Sequence, residues 1–559
     1  MKKFFLLILI NFAVYQIVAS QNLLLQTLKN EANRNLAELK KQPVPAYYIN
    51  YRVNDQTVHF ISASFGNIMQ TYPYTQRIFN ASLRVGSPEM DNTREIKEGN
   101  EQGYASYNSS GYGILGIEDN PTAWRLSLWQ KTDALYVEAT KRYEKVKANV
   151  AVKVSSEDKS PDFSLETSER YIEKLIKFSD AKFDPKVWEE KLKKYSAIFK
   201  ENKDIISGNV SMTVELSQRY FADTEGAELF ENRMSYRLQA TAASKADDGM
   251  DLPLYKTYFF YDLKDFPSDE KIIADMRQMS ETLSSLRVAP VVDSYSGPAL
   301  MSGQAASVFF HEIFGHRIEG ARLKQEGDAQ TFKKKMGELV LPEDISVIFD
   351  PQLTKAHGFA LNGFYVFDDE GIRGQRVEVV KNGKLNSFLM NRTPIEGFPK
   401  SNGHGRGQIF YNTFSRQSNT IIESSKPKTD KELRSMLIEQ LNREGKSFGY
   451  LIDQVSGGFT TTGRYMPNAF NVAPLLVYRI YADGRADEIV RGVDLVGTPL
   501  AIFSQIAACG TEFDIFNGTC GAESGGVPVA SLSPPLYVKM VETQRKAKSQ
   551  SQPPILERP

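Results

Sequence analysis

Two of the five histidines in this 559-residue chain stand five positions apart, and an acidic residue directly follows the first. The segment reads HExxxH, with His311, Glu312 and His316 as its three fixed positions. Neutral imidazoles are good zinc ligands, and a carboxylate beside a ligand can take a proton from a water that the metal activates. The residue types therefore predict a metal site with Glu312 as general base. The alternative is a pair of structural histidines hydrogen-bonded at a helix end.

The five-residue spacing sets a geometric condition on this site. In a regular α-helix, residues five apart are separated by about 140° around the axis, whereas residues four apart are separated by about 40°. His311 and His316 can reach one metal only if the helix widens into a π-turn or ends near Gly315. We expect one of these two distortions, since glycine tolerates both.

A catalytic zinc site needs a third protein ligand. Cys520 is a candidate because glycines flank it in the segment GTCG, so that its loop can bend toward a metal. Glu319 and His404 are competitors for this position. A disulfide between Cys520 and Cys509 is the alternative, although the apolar run at 506–508 favours burial of Cys509 as a small hydrophobic residue.

These segments, in this order along the chain, resemble motifs of the TldD/PmbA family of metallopeptidases. HEIFGHRIEG at 311–320 resembles the HExxxH motif of the family, and GTCGAESGGVPVA at 518–530 resembles its C-terminal cysteine loop. Four family-like segments lie between them, namely DDEG at 368–371, SNGHGRG at 401–407, SNT at 418–420 and VRGVDLVGTPL at 490–500. Because the motif is intact, the chain is similar to the metal-bearing, TldD-like branch rather than to the metal-free branch.

The resemblance implies a site and an activity. It implies one zinc per active subunit, with His311, His316 and Cys520 as ligands and Glu312 as base. It also implies hydrolysis of unfolded or extended peptides by a dimer, either a homodimer or a heterodimer with a metal-free family member. Two alternatives stay open at this point. One is a non-catalytic partner subunit, and the other is a metallo-amidase that acts on cell-wall peptides.

Substrate contacts are less well defined by the sequence. His404, Arg406 and Tyr411 could stabilise an oxyanion or bind substrate, although a glycine-rich loop with these residues could equally be structural. A protein built on antiparallel sheet can accept an extended peptide as an added strand. The glycine pairs at 457–458 and 525–526 would permit close approach of a peptide backbone, unless they are ordinary turn glycines.

The surrounding sequence predicts an α+β fold. We expect an N-terminal α/β domain over residues 21–290, with a mixed or antiparallel sheet that includes a meander over residues 210–263. The resemblance implies that a C-terminal domain, over residues 291–541, is rich in antiparallel, barrel-like β-sheet. The sequence predicts that a helix over residues 298–318 carries the HExxxH motif in this domain. Residues 542–559 are expected to form a disordered tail. Apolar periodicity predicts further helices over residues 22–41, 121–143, 168–178, 185–201, 268–286 and 430–444.

Charge and the N-terminal residues bear on location. Lys+Arg and Asp+Glu both number 68, which argues against a broad basic surface for nucleic acid. Residues 1–20 combine two lysines, an apolar run and a small-residue site before Gln21, as in a cleaved secretory signal. An uncleaved membrane anchor is the alternative. We expect an exported protein, periplasmic or extracellular, without a membrane span after cleavage. Well-known members of the family are cytoplasmic and have a shorter N-terminal half.

Overall fold

A computed structural model describes residues 23–96, 111–152, 158–325, 328, 330–460, 462–463, 470–546, 556 and 558–559. The predicted export signal over residues 1–20 lies outside the described part of the chain. The described residues form an α+β fold, as the sequence predicts. None of the helices in these ranges combines the length and the apolar character that crossing a membrane requires.

The first sheet has eight strands and uses the N-terminal half of the chain. Its strands are β1 (Ala46–Ser64), β2 (Asn67–Ser87), β3 (Met90–Asp91), β4 (Tyr112–Ile114), β5 (Arg170–Ile172), β6 (Ser207–Asp223), β7 (Glu228–Lys245) and β8 (Asp251–Phe260). The main order is β3-β2-β1-β6-β7-β5, with β4 beside β2 and β8 beside β7. The predicted antiparallel meander is confirmed as β6-β7-β8. Side chains of β6 alternate between buried and half-buried, as a sheet with one covered face requires.

Four helices cover the two ends of these long strands. They are α1 (residues 23–39), α2 (Pro121–Val152), α3 (Pro185–Glu201) and α4 (Asp269–Val288). α1 and α2 pack on one end of the sheet, and α3 and α4 pack on the other. The helix predicted over residues 168–178 is wrong, since Arg170–Ile172 pairs with β7 as strand β5. There, pairing with a distant strand overrides a local helical pattern.

The C-terminal half begins with strand β9 (Tyr295–Met301) and alternates strands with short helices. Its helices are α5 (Gly303–Ile313), α6 (Gly320–Lys324), α7 (Asp430–Glu444) and α8 (Pro499–Phe503). Its remaining strands are β10 (Ile345–Phe349), β11 (Lys355–Ala356), β12 (Phe359–Ala360), β13 (Val377–Lys381), β14 (Lys384–Leu385), β15 (Gly405–Arg406), β16 (Phe414–Ser415), β17 (Asn419–Ser424), β18 (Phe448–Thr460), β19 (Phe470–Tyr481), β20 (Glu488–Val490), β21 (Val493–Gly497), β22 (Ile506–Cys509), β23 (Asp514–Ala522), β24 (Gly525–Ser533) and β25 (Leu536–Arg545).

Five of these strands close into a barrel. The ring runs β18-β9-β25-β21-β19 and closes by pairing β19 with β18. The pairing of β18 with β9 is parallel and the others are antiparallel. The barrel-like C-terminal sheet that the resemblance implied is therefore present. β25 continues to Arg545, so residues 542–545, which were predicted to belong to a disordered tail, form a strand.

Helix α5 packs between the barrel and a second sheet of order β14-β13-β10-β17-β24-β23. Its small residues Ala305 and Ala306 and its aromatic Phe309 are fully buried in one core that both sheets share. The helix predicted over residues 298–318 begins later than expected, at Gly303, because the residues before it form the barrel strand β9. Ser302 caps the helix by accepting a hydrogen bond from the backbone N–H of Ala305 at 3.2 Å.

Candidate metal centre

The HExxxH motif lies where α5 changes into a tighter helix. α5 ends at Ile313, and Gly315–Arg317 forms one turn of 3-10 helix. This change of pitch brings the imidazole rings of His311 and His316 together, with centroids 5.2 Å apart. Of the two distortions that the spacing allowed, the structure adopts the helix end near Gly315. The predicted convergence of the two histidines is confirmed.

Gly315 is required for space rather than for backbone freedom. A Cβ atom at this position would lie 2.0 Å from Oε1 of Gln417. The Gln417 side chain is fully buried, and its Nε2 donates a hydrogen bond to the carbonyl oxygen of His311 at 3.2 Å. The glycine therefore lets a buried amide hold the last turn of α5. This close approach is a second reason for glycine here, beside its expected tolerance of a helix end.

Cys520 completes a group of three potential ligands. It lies in β23 opposite Val527 of β24, and its Sγ is 3.3 Å from Nε2 of His316. One ligand atom from each of His311, His316 and Cys520 lies within 4.8 Å of the other two, and all three residues are buried. Both cysteines are free thiols, so no disulfide joins Cys520 to Cys509.

The three side chains form a strongly polarised group. Burial raises the pKa of the Cys520 thiol, but the charges of His316, His311 and Arg416 outweigh burial and hold that pKa well below its usual range. Burial lowers the pKa of His316, yet Cys520 and Glu319 raise it well above its usual value. These opposite shifts have one cause, which is the mutual attraction between the Cys520 thiolate and the charged groups around it.

The donor set suits zinc. Two imidazole nitrogens and one thiolate are three protein ligands, which leave a fourth position open as catalytic sites require. In the described part of the chain, Nδ1 of His311 is buried without a hydrogen-bond partner. Such a nitrogen costs free energy that a bound ligand would offset. On both grounds the residues fit a metal ion.

Glu312 stands beside this group. The residue is 8% exposed, and its charge is near enough to raise the pKa of His311, against the lowering effect of burial. Its backbone carbonyl accepts a hydrogen bond from Nη1 of Arg317 at 3.1 Å. The last turn of α5 is therefore fixed both by Arg317 and by Gln417, and the base that the sequence predicts is held on a rigid element.

Glu319 does not belong to the group of three potential ligands and instead contacts one of them from behind. Its Oε2 lies 3.2 Å from Nδ1 of His316, on the side of the ring away from Cys520, and it is fully buried. Despite burial, His316 and Arg322 hold the pKa of this carboxyl at about 2. Sequence reasoning missed Arg322 and Arg416 as its partners. The only available signal was their position, since Arg322 stands two residues after the family-like segment at 311–320 and Arg416 stands two residues before the segment at 418–420.

The residues proposed for substrate contact are engaged within the protein. Nε2 of His404 lies 3.0 Å from Oγ of Ser418, and burial lowers the pKa of this imidazole to about 3. Arg406 donates hydrogen bonds to the carbonyl oxygens of Gln417 and Pro528 at 2.6 and 2.7 Å. These contacts favour structural roles for His404 and Arg406.

Tyr411 closes a turn that begins at Gln408, and it contacts Gly525 at the start of β24. Arg52 donates a hydrogen bond to the carbonyl oxygen of Tyr411 at 2.6 Å. Gly525 has a φ of 76°, and a Cβ there would lie 2.6 Å from the Tyr411 ring. The glycine is thus a turn residue that the β23–β24 hairpin requires. A substrate-binding role of Tyr411 stays a prediction.

Comparison with known proteins finds relatives that are named metalloproteases. Residues 294–544 match the model of the PmbA/TldA metallopeptidase C-terminal domain. A metalloprotease of Archaeoglobus fulgidus is 31% identical over 262 residues, which cover 47% of this chain and 56% of that protein. A metalloprotease TldD homolog of Buchnera aphidicola is 23% identical over 458 residues, which cover 79% of this chain and 87% of that protein. A zinc metalloprotease TldD homolog of Saccharolobus solfataricus is 24% identical over 250 residues, with coverage of 44% and 51%.

A solved structure with a similar fold is also known. The structure of TldE from Thermococcus kodakarensis superposes with a TM-score of 0.59 at 15% identity, covering 89% of this chain and 96% of that chain. The C-terminal half thus combines a closed barrel with similarity, over residues 294–544, to the C-terminal domain of PmbA/TldA metallopeptidases. The chain spans about half the length of several curated relatives that it matches, namely 56%, 47% and 47% of three metalloproteases.

Proposed function

We propose that this protein is a zinc-dependent peptidase that hydrolyses unfolded or extended peptides. The observation that carries the proposal is the convergence of His311, His316 and Cys520, whose ligand atoms lie within 4.8 Å of one another beside an acidic residue. The names of the metalloprotease relatives support it. When bound, zinc would polarise a peptide carbonyl and lower the pKa of a water molecule toward about 7.

The residues of the chain have distinct tasks in this reaction. Glu312 accepts a proton from the attacking water and then donates it to the nitrogen of the leaving amine. The water oxygen first forms the new bond to the carbonyl carbon. The bond from that carbon to nitrogen breaks when the nitrogen receives the proton, so that the products are an acid and an amine. Gln417 and Arg317 hold the last turn of α5, which keeps Glu312 and His311 in fixed relation.

The position of β23 supports an extended substrate. β23 is the last strand of its sheet and, among the described strands, pairs with β24 alone. A peptide added beside this edge would form backbone hydrogen bonds that are independent of sequence. Because Cys520 lies in the same strand, such a peptide would run past the metal ligands. Most strands of a folded protein are already paired on both sides, so an unfolded or extended peptide fits this edge better.

We further propose that the active form is a dimer and that it is exported. The fold of this chain is similar to that of TldE, which supports a subunit fold common to the family. The partner in the dimer would be a second copy of this chain or a metal-free relative. The lysines and apolar run of residues 1–20 support export to the periplasm or the medium.

The first prediction separates catalysis from metal binding. Glu312→Gln removes the base and keeps the ligands, so we expect one zinc per chain and a fall in peptide hydrolysis of about 10²- to 10⁴-fold. Metal content and cleavage of an unstructured fluorogenic peptide library are measured on the full chain. Glu281→Gln, at an exposed position of α4, is the matched control and should behave as wild type.

Other outcomes point to other functions. Full activity of Glu312→Gln contradicts the assigned base. Release of fragments from peptidoglycan but not from the peptide library indicates a cell-wall amidase. A wild-type chain that binds zinc but cleaves neither substrate is a non-catalytic subunit.

A further inference from the structure

We propose that a buried ionic cluster fixes two metal ligands relative to each other and so sets the zinc affinity of the site. Its members, which we call the ligand clamp, are Glu319, Arg322, Arg416 and Glu523. None of the four belongs to the group of converging ligand atoms. This inference deepens the proposed function and rests on it, because it concerns the same zinc site.

The first contact of the clamp orients His316. Oε2 of Glu319 lies 3.2 Å from Nδ1 of His316, and the Glu319 side chain is 0% exposed. A carboxylate accepts the N–H of Nδ1, so the lone pair of the ring is left on Nε2. Nε2 is the atom that lies 3.3 Å from Sγ of Cys520. Glu319 therefore selects the tautomer and the ring orientation that a metal between His316 and Cys520 needs.

Arg322 connects this carboxylate to the strand that carries the third ligand. Its Nε donates to Oε2 of Glu319 at 2.8 Å, and its Nη2 donates to Oε2 of Glu523 at 2.7 Å. Glu523 follows Cys520 by three residues, in the turn between β23 and β24. One guanidinium thus bridges two carboxylates that lie 204 residues apart in the chain, one beside each ligand segment.

Arg416 makes a second bridge between the same two segments. Its Nη2 donates to the carbonyl oxygen of Cys520, and its Nη1 donates to Oγ of Ser524 at 2.7 Å and to the carbonyl oxygen of Gly525 at 2.9 Å. Its Nε lies 3.7 Å from Oε1 of Glu319. Arg416 therefore holds the backbone of the cysteine strand while its charge faces the carboxylate behind His316.

Burial makes these contacts strong constraints. The side chains of Arg322, Glu319 and Glu523 are 5%, 0% and 3% exposed, and that of Arg416 is 0% exposed. Charges taken out of water must stay close to opposite charges, so the distances between them are narrowly set. Planar guanidinium groups add direction, since each binds several acceptors at fixed angles. The clamp thus prevents the cysteine strand from moving away from the turn after α5.

The test measures zinc affinity in full-chain variants, without reference to catalysis. Glu319→Gln and Glu523→Gln keep the shape of each side chain and remove one charge. Arg322→Lys keeps the charge, but a single ammonium cannot bridge both carboxylates in the same geometry. The control is Glu225→Gln, because Glu225 forms an ion pair of 2.7 Å with the buried Arg392 outside the clamp.

Zinc affinity is measured by competition with a chromogenic chelator, and the visible spectrum of the cobalt form reports the contact between thiolate and metal. Circular dichroism checks the fold. We expect the three clamp variants to fold and to bind zinc about 10- to 100-fold more weakly than wild type, with an altered thiolate-to-cobalt band. Glu225→Gln should keep both the affinity and the spectrum.

Each other result has a defined meaning. If wild type binds zinc and the folded clamp variants match its affinity and spectrum, the clamp is wrong and the proposed function stands. An equal loss in Glu225→Gln, or failure of all three clamp variants to fold, also overturns the clamp, because the cluster then serves stability in general. If wild type itself binds no zinc, the proposed function fails and the clamp fails with it.

Discussion

At the residue scale, the two cysteines are both buried yet lie in opposite electrostatic settings. Cys509 is 0% exposed in the core of the C-terminal half, and burial raises the pKa of its thiol well above the usual range. Cys520 is 3% exposed and lies among His311, His316 and Arg416, whose charges stabilise a thiolate. Chemical reactivity at a buried cysteine is thus decided by its neighbours rather than by its depth.

This contrast gives a second prediction. Cys520→Ala removes one of three ligands, so we expect zinc content to fall from about one per chain toward zero and peptidase activity to be lost. Cys509→Ala is the natural control, since it removes only packing and should cost about 1 kcal/mol of stability with full zinc content. Metal analysis, peptide cleavage and urea unfolding provide the comparison. Similar behaviour of the two variants would show that the ligand is assigned to the wrong residue.

At the element scale, the centre depends on the way in which α5 ends. A regular helix would place the two histidines about 140° apart, and the 3-10 turn over Gly315–Arg317 brings them together. Gln417 holds this turn through the carbonyl of His311 and occupies the space that any side chain at residue 315 would need. The tighter pitch of the 3-10 turn and the buried amide of Gln417 therefore together position the two histidines.

A third prediction tests this arrangement. Gly315→Ala should displace Gln417 and weaken zinc binding by about 10-fold or more, as expected when a contact that orients a ligand is lost. The double variant Gly315→Ala with Gln417→Ala removes the steric conflict and should recover part of the affinity. Chelator competition on the two proteins decides the matter. A single variant with wild-type affinity, or a double variant weaker than the single one, would contradict the role of close packing.

At the scale of the whole molecule, the N-terminal sheet supports the C-terminal site. Arg52 of β1 donates hydrogen bonds to the carbonyl oxygens of Gly407 and Tyr411, both at 2.6 Å. Within the same loop, the side chain of Gln408 accepts a hydrogen bond from the backbone N–H of Gly526 at 2.9 Å. The first sheet thus holds a loop that in turn holds the β23–β24 hairpin. The division into domains at 21–290 and 291–541 stays a prediction.

The N-terminal residues predict that the protein is exported and cleaved. Expressed as the full chain in a bacterial host, the protein should be processed to begin at or near Gln21, because Val18 and Ser20 fit the small-residue pattern before a cleavage site. Intact mass and N-terminal sequencing of the exported fraction test this. Ser20→Leu should block processing and serves as the control. Retention of residues 1–20 in wild type would favour an uncleaved anchor.

Local signals in the sequence predicted much of the fold and the core of the site. The bounds predicted for α3 and α7 match the structure. Pro185 at the start of α3 and the cap Thr429 of α7 act within one helical turn, so a short stretch of sequence is enough to locate both helix starts. The five-residue spacing of the histidines implied either a π-turn or a helix end, and the structure has the helix end. Family-like motifs identified Cys520, although it is remote in sequence from both histidines.

Only the tertiary structure decided how these parts are held. Residues 298–301 form a barrel strand because they pair with both β18 and β25, which follow about 150 and 235 residues later. Glu319 lies behind His316 rather than among the ligands because Arg322 and Arg416 join it to the cysteine hairpin. Local patterns determine helices, caps and motifs, whereas buried charges are positioned by partners that only the folded chain brings together.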